Sequence, residues 1–85
     1  RYNPTLNCVV TLMKDSARAE ADAMDAELRA GKYRGPLHGV PYGLKDLFAT
    51  KNAPTSWGSA DFKDQTHDYD AEIVVRLREA GAVLL

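Results

Sequence analysis

The sequence predicts an α/β fold with helices packed on a sheet, in the order β-α-β-loop-α-β. Apolar residues recur at helical spacing over residues 16–30 and 71–80, and a glycine follows each of these stretches. Three other stretches are rich in apolar and β-branched residues, which is typical of strands: 6–13, 37–45 and 82–85.

The first helix has clear signals at both ends. Asp15 or Ser16 is expected to cap its N-terminus, and Gly31 is expected to end it. Its predicted core face consists of small and apolar side chains: Ala17, Ala21, Met24 and Leu28.

The second helix shows the same organisation. Asp70 is its predicted N-cap and Gly81 its stop, so the helix spans residues 71–80 and a buried strand follows it. Ile73, Leu77 and Ala80 form the predicted core face, with Val74 on its flank. Residues 45–68 lack hydrophobic periodicity and are expected to form a long loop.

Composition excludes several classes of function. The net charge is −1, so no basic surface indicates binding to nucleic acid or to an anionic membrane. No apolar run has the length of a membrane span and no signal peptide is visible, which favours a cytoplasmic location.

The chain begins without a methionine and stops on an apolar run, so we expect a fragment of a longer protein.

Cysteine and histidine usage indicates neither a disulfide nor a metal site. The single cysteine, Cys8, lies in an apolar run and is expected to be a small core residue. His38 and His67 lack metal-ligand spacing, so we predict a structural role for the first, a solvated position for the second, and no metal or other cofactor.

Lys45 is the candidate functional residue. It follows the segment Gly-Pro-Leu-His-Gly-Val-Pro-Tyr-Gly-Leu at residues 35–44. In a strand, Gly39, Pro41 and Gly43 share one face with Lys45, and that face offers little bulk against an approaching ligand. The residues alone leave a second interpretation open, in which Pro41 marks an edge strand and Lys45 is a solvated residue that guards the edge.

Three stretches together resemble the amidase signature family. They are Gly35–Asp46, which resembles the family's catalytic lysine segment, then Pro-Thr-Ser-Trp-Gly-Ser at 54–59, and residues 69–85. The opening Tyr-Asn-Pro-Thr-Leu-Asn at 2–7 also fits, so the resemblance covers nearly the whole chain. It implies that residues 1–85 are the N-terminal fragment of a single amidase domain with a larger mixed sheet.

The resemblance further implies hydrolysis of a small-molecule amide by a Ser, cis-Ser, Lys triad through an acyl-enzyme. Only the lysine maps onto this chain, at Lys45, and the family's glycine- and serine-rich nucleophile segment lies downstream of it. A lysine base must be neutral, whereas a free lysine has a pKa near 10.4. Burial without a carboxylate partner lowers the pKa of a lysine in this way. If the strand continues through Lys45, Asp46 points to the opposite face, so it is expected to bond backbone or other groups and to leave Lys45 unpaired. Ser56 and Ser59 lack a nucleophile motif and are expected to form turns.

Two branches of the family and one non-enzymatic role remain open. The first branch is the standalone amidase, and the second is the A subunit of the aspartyl/glutamyl-tRNA amidotransferase. Those A subunits usually carry Asn after Lys-Asp and a Thr/Cys-rich stretch later, whereas this chain has Leu47 and Trp57, which favours the standalone amidase. The third role is an interaction domain that keeps only the scaffold.

Overall fold

A computed structural model describes all 85 residues, Arg1–Leu85. Its helices and strands are α1 (Asn3–Leu6), α2 (Lys14–Arg29), β1 (Pro41–Tyr42), α3 (Glu72–Glu79) and β2 (Val83–Leu84), with one 3₁₀ turn at Ala60–Phe62. None of the helices combines the length and the apolar character that crossing a membrane requires.

The two strands pair in parallel and form the centre of the fold. Pro41 lies opposite Val83 and Tyr42 opposite Leu84. Both α2 and α3 pack against β2, whose residues are buried. The predicted α/β class, with helices packed on a sheet, is therefore confirmed.

Glycine ends both long helices in the same way. Gly31 follows α2 with a φ of 80°, and Gly81 follows α3 with a φ of 86°. At α3 the Gly81 N–H donates to the Arg78 carbonyl and the Ala82 N–H donates to the Leu77 carbonyl. This is the Schellman motif, and the predicted helix stops are confirmed.

The predicted N-caps are wrong. Helix α2 begins after Met13, and Ser16 Oγ donates to the Met13 carbonyl instead of accepting a bond from the helix N-terminus. Ala71 occupies the N-cap of α3, because the Asp70 carboxylate accepts bonds from the Lys51 N–H and the Arg78 guanidinium. A charged donor and a backbone amide elsewhere in the fold compete successfully for this carboxylate.

The predicted strand at residues 6–13 is also wrong. Pro4 suits the first turn of a helix, and the chain forms α1 there and turns at Asn7, whose φ is 49°. The Asn3 side chain then takes the place of a strand partner, because it donates to the Val9 carbonyl and accepts from the Val9 N–H. No strand of the structure pairs with this segment, so its β-forming residues have no ladder to join.

The other two strands are shorter than predicted. Residues 36–39 form a turn, in which the Val40 N–H donates to the Leu37 carbonyl, so the extended segment begins only near Pro41. The closing strand is confined to β2. Residues 82–84 are buried as predicted, whereas Leu85 is 47% exposed. The observed order is therefore α-α-β-loop-α-β.

Several apolar residues predicted for the core are exposed in this chain. Ala17 and Met24 are buried against Val83 as predicted, whereas Leu28 is 54% exposed. On α3 the fully buried residue is Val74 and not Ile73. Cys8 is exposed too, which makes its assignment as a core residue wrong. The periodicity identified the helices, but the two-stranded sheet covers only part of each apolar face.

Replacing Gly81 by alanine should destabilise the full-length protein more than replacing Gly31. Both glycines have a positive φ after a helix, so each alanine costs about 1 kcal/mol or more in backbone strain. A Cβ at Gly81 would also lie 3.1 Å from the His38 Cα, whereas one at Gly31 meets no atom within 4 Å. Urea unfolding should therefore show an additional loss of about 1 kcal/mol or more for Gly81→Ala; equal losses would contradict the close contact.

The isolated 85 residues should not fold as a stable monomer. The chain exposes 6250 Å², whereas about 5,000 Å² is expected for a compact protein of its mass, 9.4 kDa. Circular dichroism should show no cooperative thermal transition, and size-exclusion chromatography should show association. A sharp transition in a monodisperse monomer would overturn this prediction.

Candidate active site

A cavity of about 290 Å³ opens at the end of the strand pair. Its walls come from the extended segment 8–13, from residues 43–46 after β1, from residues 53–55 of the long loop, and from the C-terminal Leu84 and Leu85. Ten of its 17 lining residues are hydrophobic. Only three of the 17 lining residues carry titratable side chains: Cys8, Lys45 and Asp46. The segment predicted as a first strand thus forms a wall of the cavity.

Lys45 lies at the rim of this cavity. Its carbonyl accepts hydrogen bonds from the N–H groups of Leu47 (2.7 Å) and Phe48 (3.2 Å), so the chain turns immediately after it. The side chain is exposed in this structure and takes part in none of its ion pairs. Lys45 is therefore a lining residue of a largely apolar cavity and forms no ion pair with a carboxylate.

Asp46 bonds to another segment of the chain, as the sequence predicted. Its Oδ1 accepts the Ser56 N–H at 2.9 Å, and its Oδ2 accepts the Ser56 hydroxyl. The predicted cause, alternation along a continuing strand, is wrong because β1 ends at Tyr42. Ser56 instead supplies two donors to the Asp46 carboxylate, one to each oxygen.

The loop that carries Ser56 has an unusual backbone. Trp57 and Gly58 have positive φ values of 56° and 71°. A bulky residue in this region is strained by about 1–3 kcal/mol and persists only where its surroundings hold it. Here the Gly58 N–H donates to Ser56 Oγ at 3.2 Å, and Asp46 holds Ser56. Ser56 has the turn-forming role expected of it.

The remainder of the loop closes on itself. The Thr55 N–H donates to the Gln65 carbonyl at 2.8 Å, and the Gln65 side chain donates back to the Thr55 carbonyl at 3.1 Å. Thr55 is 1% exposed, and Pro54 forms a bridge with Thr66. The sequence did not predict the hydrogen bonds between Asp46 and Ser56 that hold this loop, because the two residues are ten positions apart with no periodic pattern between them.

Trp57 is not among the residues that line the cavity. Its ring lies 5.0 Å from that of Phe62 and 6.2 Å from that of His67, and His67 lies 5.3 Å from Tyr69. His67 is half-buried in this aromatic row, so the solvated position predicted for it is wrong.

A cluster around His38 supports the turn that precedes β1. His38 Nε2 lies 2.8 Å from the Met24 carbonyl, and Nδ1 accepts the Arg34 N–H at 3.2 Å. Since Nδ1 accepts, Nε2 is the protonated nitrogen and donates to Met24. The predicted structural role of His38 is confirmed by these contacts.

Arg34 joins this turn to two helices. Its guanidinium binds the Glu27 carboxylate of α2 through Nε (2.7 Å) and Nη2 (2.5 Å), and Nη1 donates to the Arg78 carbonyl at the end of α3 (3.0 Å). The Arg34 hydrogen bonds lower the pKa of Glu27 to about 2, and the same bonds raise the pKa of Arg34. This arginine caps α3 and fixes the spacing between the helices.

A second ion pair lies near β1. Burial by itself would raise the pKa of Asp70, but the hydrogen bonds from Arg78 and from the Lys51 N–H lower it below its usual value. The Arg78 side chain also lies 3.8 Å from Glu20 of α2. Burial raises the pKa of Tyr42, the last residue of β1. These contacts link the long loop to α3.

The chain belongs to the Amidase family, whose sequence profile matches residues 1–85. It is 47% identical over 85 residues to AmiD of Mycobacterium tuberculosis. It is 48% identical over 85 residues to the A subunit of the glutamyl-tRNA(Gln) amidotransferase of Halorhodospira halophila. Both alignments cover 100% of this chain, with 18% of the first relative and 17% of the second.

The fold is similar to that of a solved amidase. The native peptide amidase from Stenotrophomonas maltophilia superimposes with a TM-score of 0.91 at 43% identity, over 100% of this chain and 18% of that structure. The chain thus spans less than a fifth of the length of these relatives.

Removing the Glu27 carboxylate should lower thermal stability in a pH-dependent way. The pKa of Glu27 is lowered to about 2 in the folded protein, against 4.5 for an unperturbed glutamate. The stabilisation of the folded state by the ionised Glu27 carboxylate is therefore complete above about pH 4.5 and is lost as pH falls toward 2. Glu27→Gln should therefore lower the Tm of the full-length protein by a constant amount between about pH 5.5 and 8, and by less below about pH 4.5.

The matched control is Glu72→Gln. It removes an exposed pair with Arg76 within α3, and such a pair contributes little to stability. Its effect on Tm should be small throughout. A Glu27→Gln effect that grows as pH falls would contradict the role of the Arg34 pair.

Proposed function

We propose that the protein carrying this chain is an amidohydrolase that cleaves a carboxylic amide C–N bond with Lys45 as the base. In this proposal residues 1–85 are part of one amidase domain, and the serine and cis-serine lie outside the described residues. The observation that carries the proposal is Lys45 itself. Lys45 forms no ion pair with a carboxylate and lines a cavity with largely apolar walls, in a chain that matches the amidase family throughout.

The proposed chemistry requires a neutral amine. The serine oxygen bonds to the amide carbon while its proton passes through the cis-serine to the lysine, and the leaving nitrogen takes up a proton as the C–N bond breaks. Water then hydrolyses the acyl-enzyme. The lysine can act as the base only where its surroundings favour the uncharged form, and burial of the amine among apolar groups without a paired carboxylate has that effect. We expect the rest of the domain to cover Lys45, which is exposed in the described chain.

Between the two branches, the proposal favours a standalone amidase that acts on a small amide without a cofactor. Leu47 and Trp57 depart from the pattern usual in amidotransferase A subunits, and the similarity to a peptide amidase structure supports the same choice. The similarity to an amidotransferase A subunit keeps the second candidate function open.

Ammonia release from three probes separates the two functions in the full-length protein. The probes are a C-terminally amidated dipeptide, benzamide and L-glutamine. Turnover of either of the first two supports the standalone amidase, whereas turnover of glutamine alone, stimulated by a partner subunit, supports the amidotransferase. Absence of turnover with all three in a folded protein would favour an interaction domain.

Replacing Lys45 should abolish most of the activity without unfolding the protein. Lys45→Met removes the base, and Lys45→Arg keeps a positive charge that cannot be lost in the usable pH range. We expect kcat/KM on the turned-over probe to fall by at least about 10²-fold in both variants, with loss of the ascending limb of the pH profile. Lys63→Met, at a surface position, is the matched control and should leave kcat/KM unchanged. Near-parental activity of Lys45→Met would refute the proposed function.

A further inference from the structure

The hydrogen bonds between Asp46 and Ser56 connect the lysine segment to the strained loop. Within the structure, no other hydrogen bond joins residues 43–48 to residues 54–59. The carboxylate is half-buried, and both of its oxygens are used, one by a backbone amide and one by a hydroxyl. These are neutral donors, so they satisfy the carboxylate without bringing a positive charge to it.

The hydrogen bonds to Asp46 matter for Lys45, because Asp46 is an acidic residue close to it in the chain. Asp46 is its chain neighbour and the only acidic side chain among the residues that line the cavity; the remaining titratable side chain there is the Cys8 thiol. A freed Asp46 side chain is therefore the one acidic partner that the cavity lining offers to the Lys45 ammonium. An ion pair between them would favour the protonated amine, which cannot act as a base.

We propose that Asp46 and Ser56 are positioning residues for Lys45: Ser56 holds the Asp46 carboxylate on the 54–59 loop and so keeps the lysine free of a counter-ion. The assignment rests on the function proposed above for Lys45, and it gives Ser56 a role that is neither nucleophilic nor confined to the turn. The geometry also explains why the Trp57 backbone is held under strain, because the two bonds from Ser56 to Asp46 fix the residue immediately before it.

Four variants of the full-length protein test this inference. Ser56→Ala removes the hydroxyl and frees one carboxylate oxygen, while Ser56→Thr keeps a hydroxyl. Asp46→Asn removes the charge but retains an oxygen that can accept the Ser56 N–H. The double variant Asp46→Asn with Ser56→Ala lacks both the hydroxyl bond and the charge, so it separates loss of the bond from release of a carboxylate.

Two readouts are measured across pH for each variant. The first is the midpoint of the ascending limb of kcat/KM with the probe that the parent protein turns over. The second is competitive acetylation of Lys45 by acetic anhydride, quantified by mass spectrometry of the peptide that contains it. The second readout reports the protonation of the amine directly and needs no activity.

Ser56→Ala should move both midpoints upward by about one pH unit or more, which corresponds to a loss of about tenfold in kcat/KM at neutral pH. Ser56→Thr keeps a hydroxyl at this position and should therefore retain the parental midpoints. Asp46→Asn and the double variant should show no upward movement, because neither contains a carboxylate that can pair with the amine.

Two results would overturn the inference. One is a Ser56→Ala variant with unchanged midpoints, which would make the contact purely structural. The other is an equal upward movement in Ser56→Ala and in the double variant, which would exclude the freed carboxylate as the cause. These results differ from a failure of the proposed function. If the proposed function were wrong, Lys45→Met would keep full activity, whatever the acetylation midpoints show.

Discussion

The parallel pairing of β1 with β2 is the constraint on which the rest of this structure depends. It joins two segments that lie far apart in the sequence, and it continues beyond the strands through the Gly39 N–H, which donates to the Gly81 carbonyl at 2.8 Å. The close approach of His38 to Gly81 would place a Cβ at Gly81 only 3.1 Å from the His38 Cα, so a side chain there would force the backbone at His38 to shift. Gly81 thus ends α3 and also contributes to the register of the two strands, so a substitution of Gly81 affects both.

The candidate site is a consequence of where this pairing ends. Beyond Tyr42 the chain leaves the sheet and turns after Lys45, so Lys45 lines the cavity and is not part of a strand. A continuing strand would have separated Lys45 from Asp46 by alternation. Here the same separation is achieved by hydrogen bonds to Ser56, and this makes a loop residue part of the environment of the lysine.

The exposed apolar residues show how local pattern and tertiary context differ. Residues 8–13 have the composition of a strand, and Val10 and Leu12 are 76% and 62% exposed on the cavity side of the chain. A strand exists only where a neighbour supplies hydrogen bonds, and in this structure Asn3 supplies the two that Val9 needs. The apolar composition predicted a strand, but it did not determine the backbone conformation, because no other strand pairs with this segment.

The sequence by itself determined the two long helices, their glycine stops, the α/β class and the segment that carries Lys45, because these depend on periodicity and on conformational preferences within a few residues. The tertiary structure decided the features that depend on distant partners. Arg78 and Lys51 drew Asp70 away from a helix cap, and Ser56 rather than strand alternation engaged Asp46. A carboxylate binds the best donors that the folded chain brings within reach, and a linear sequence does not contain those distances.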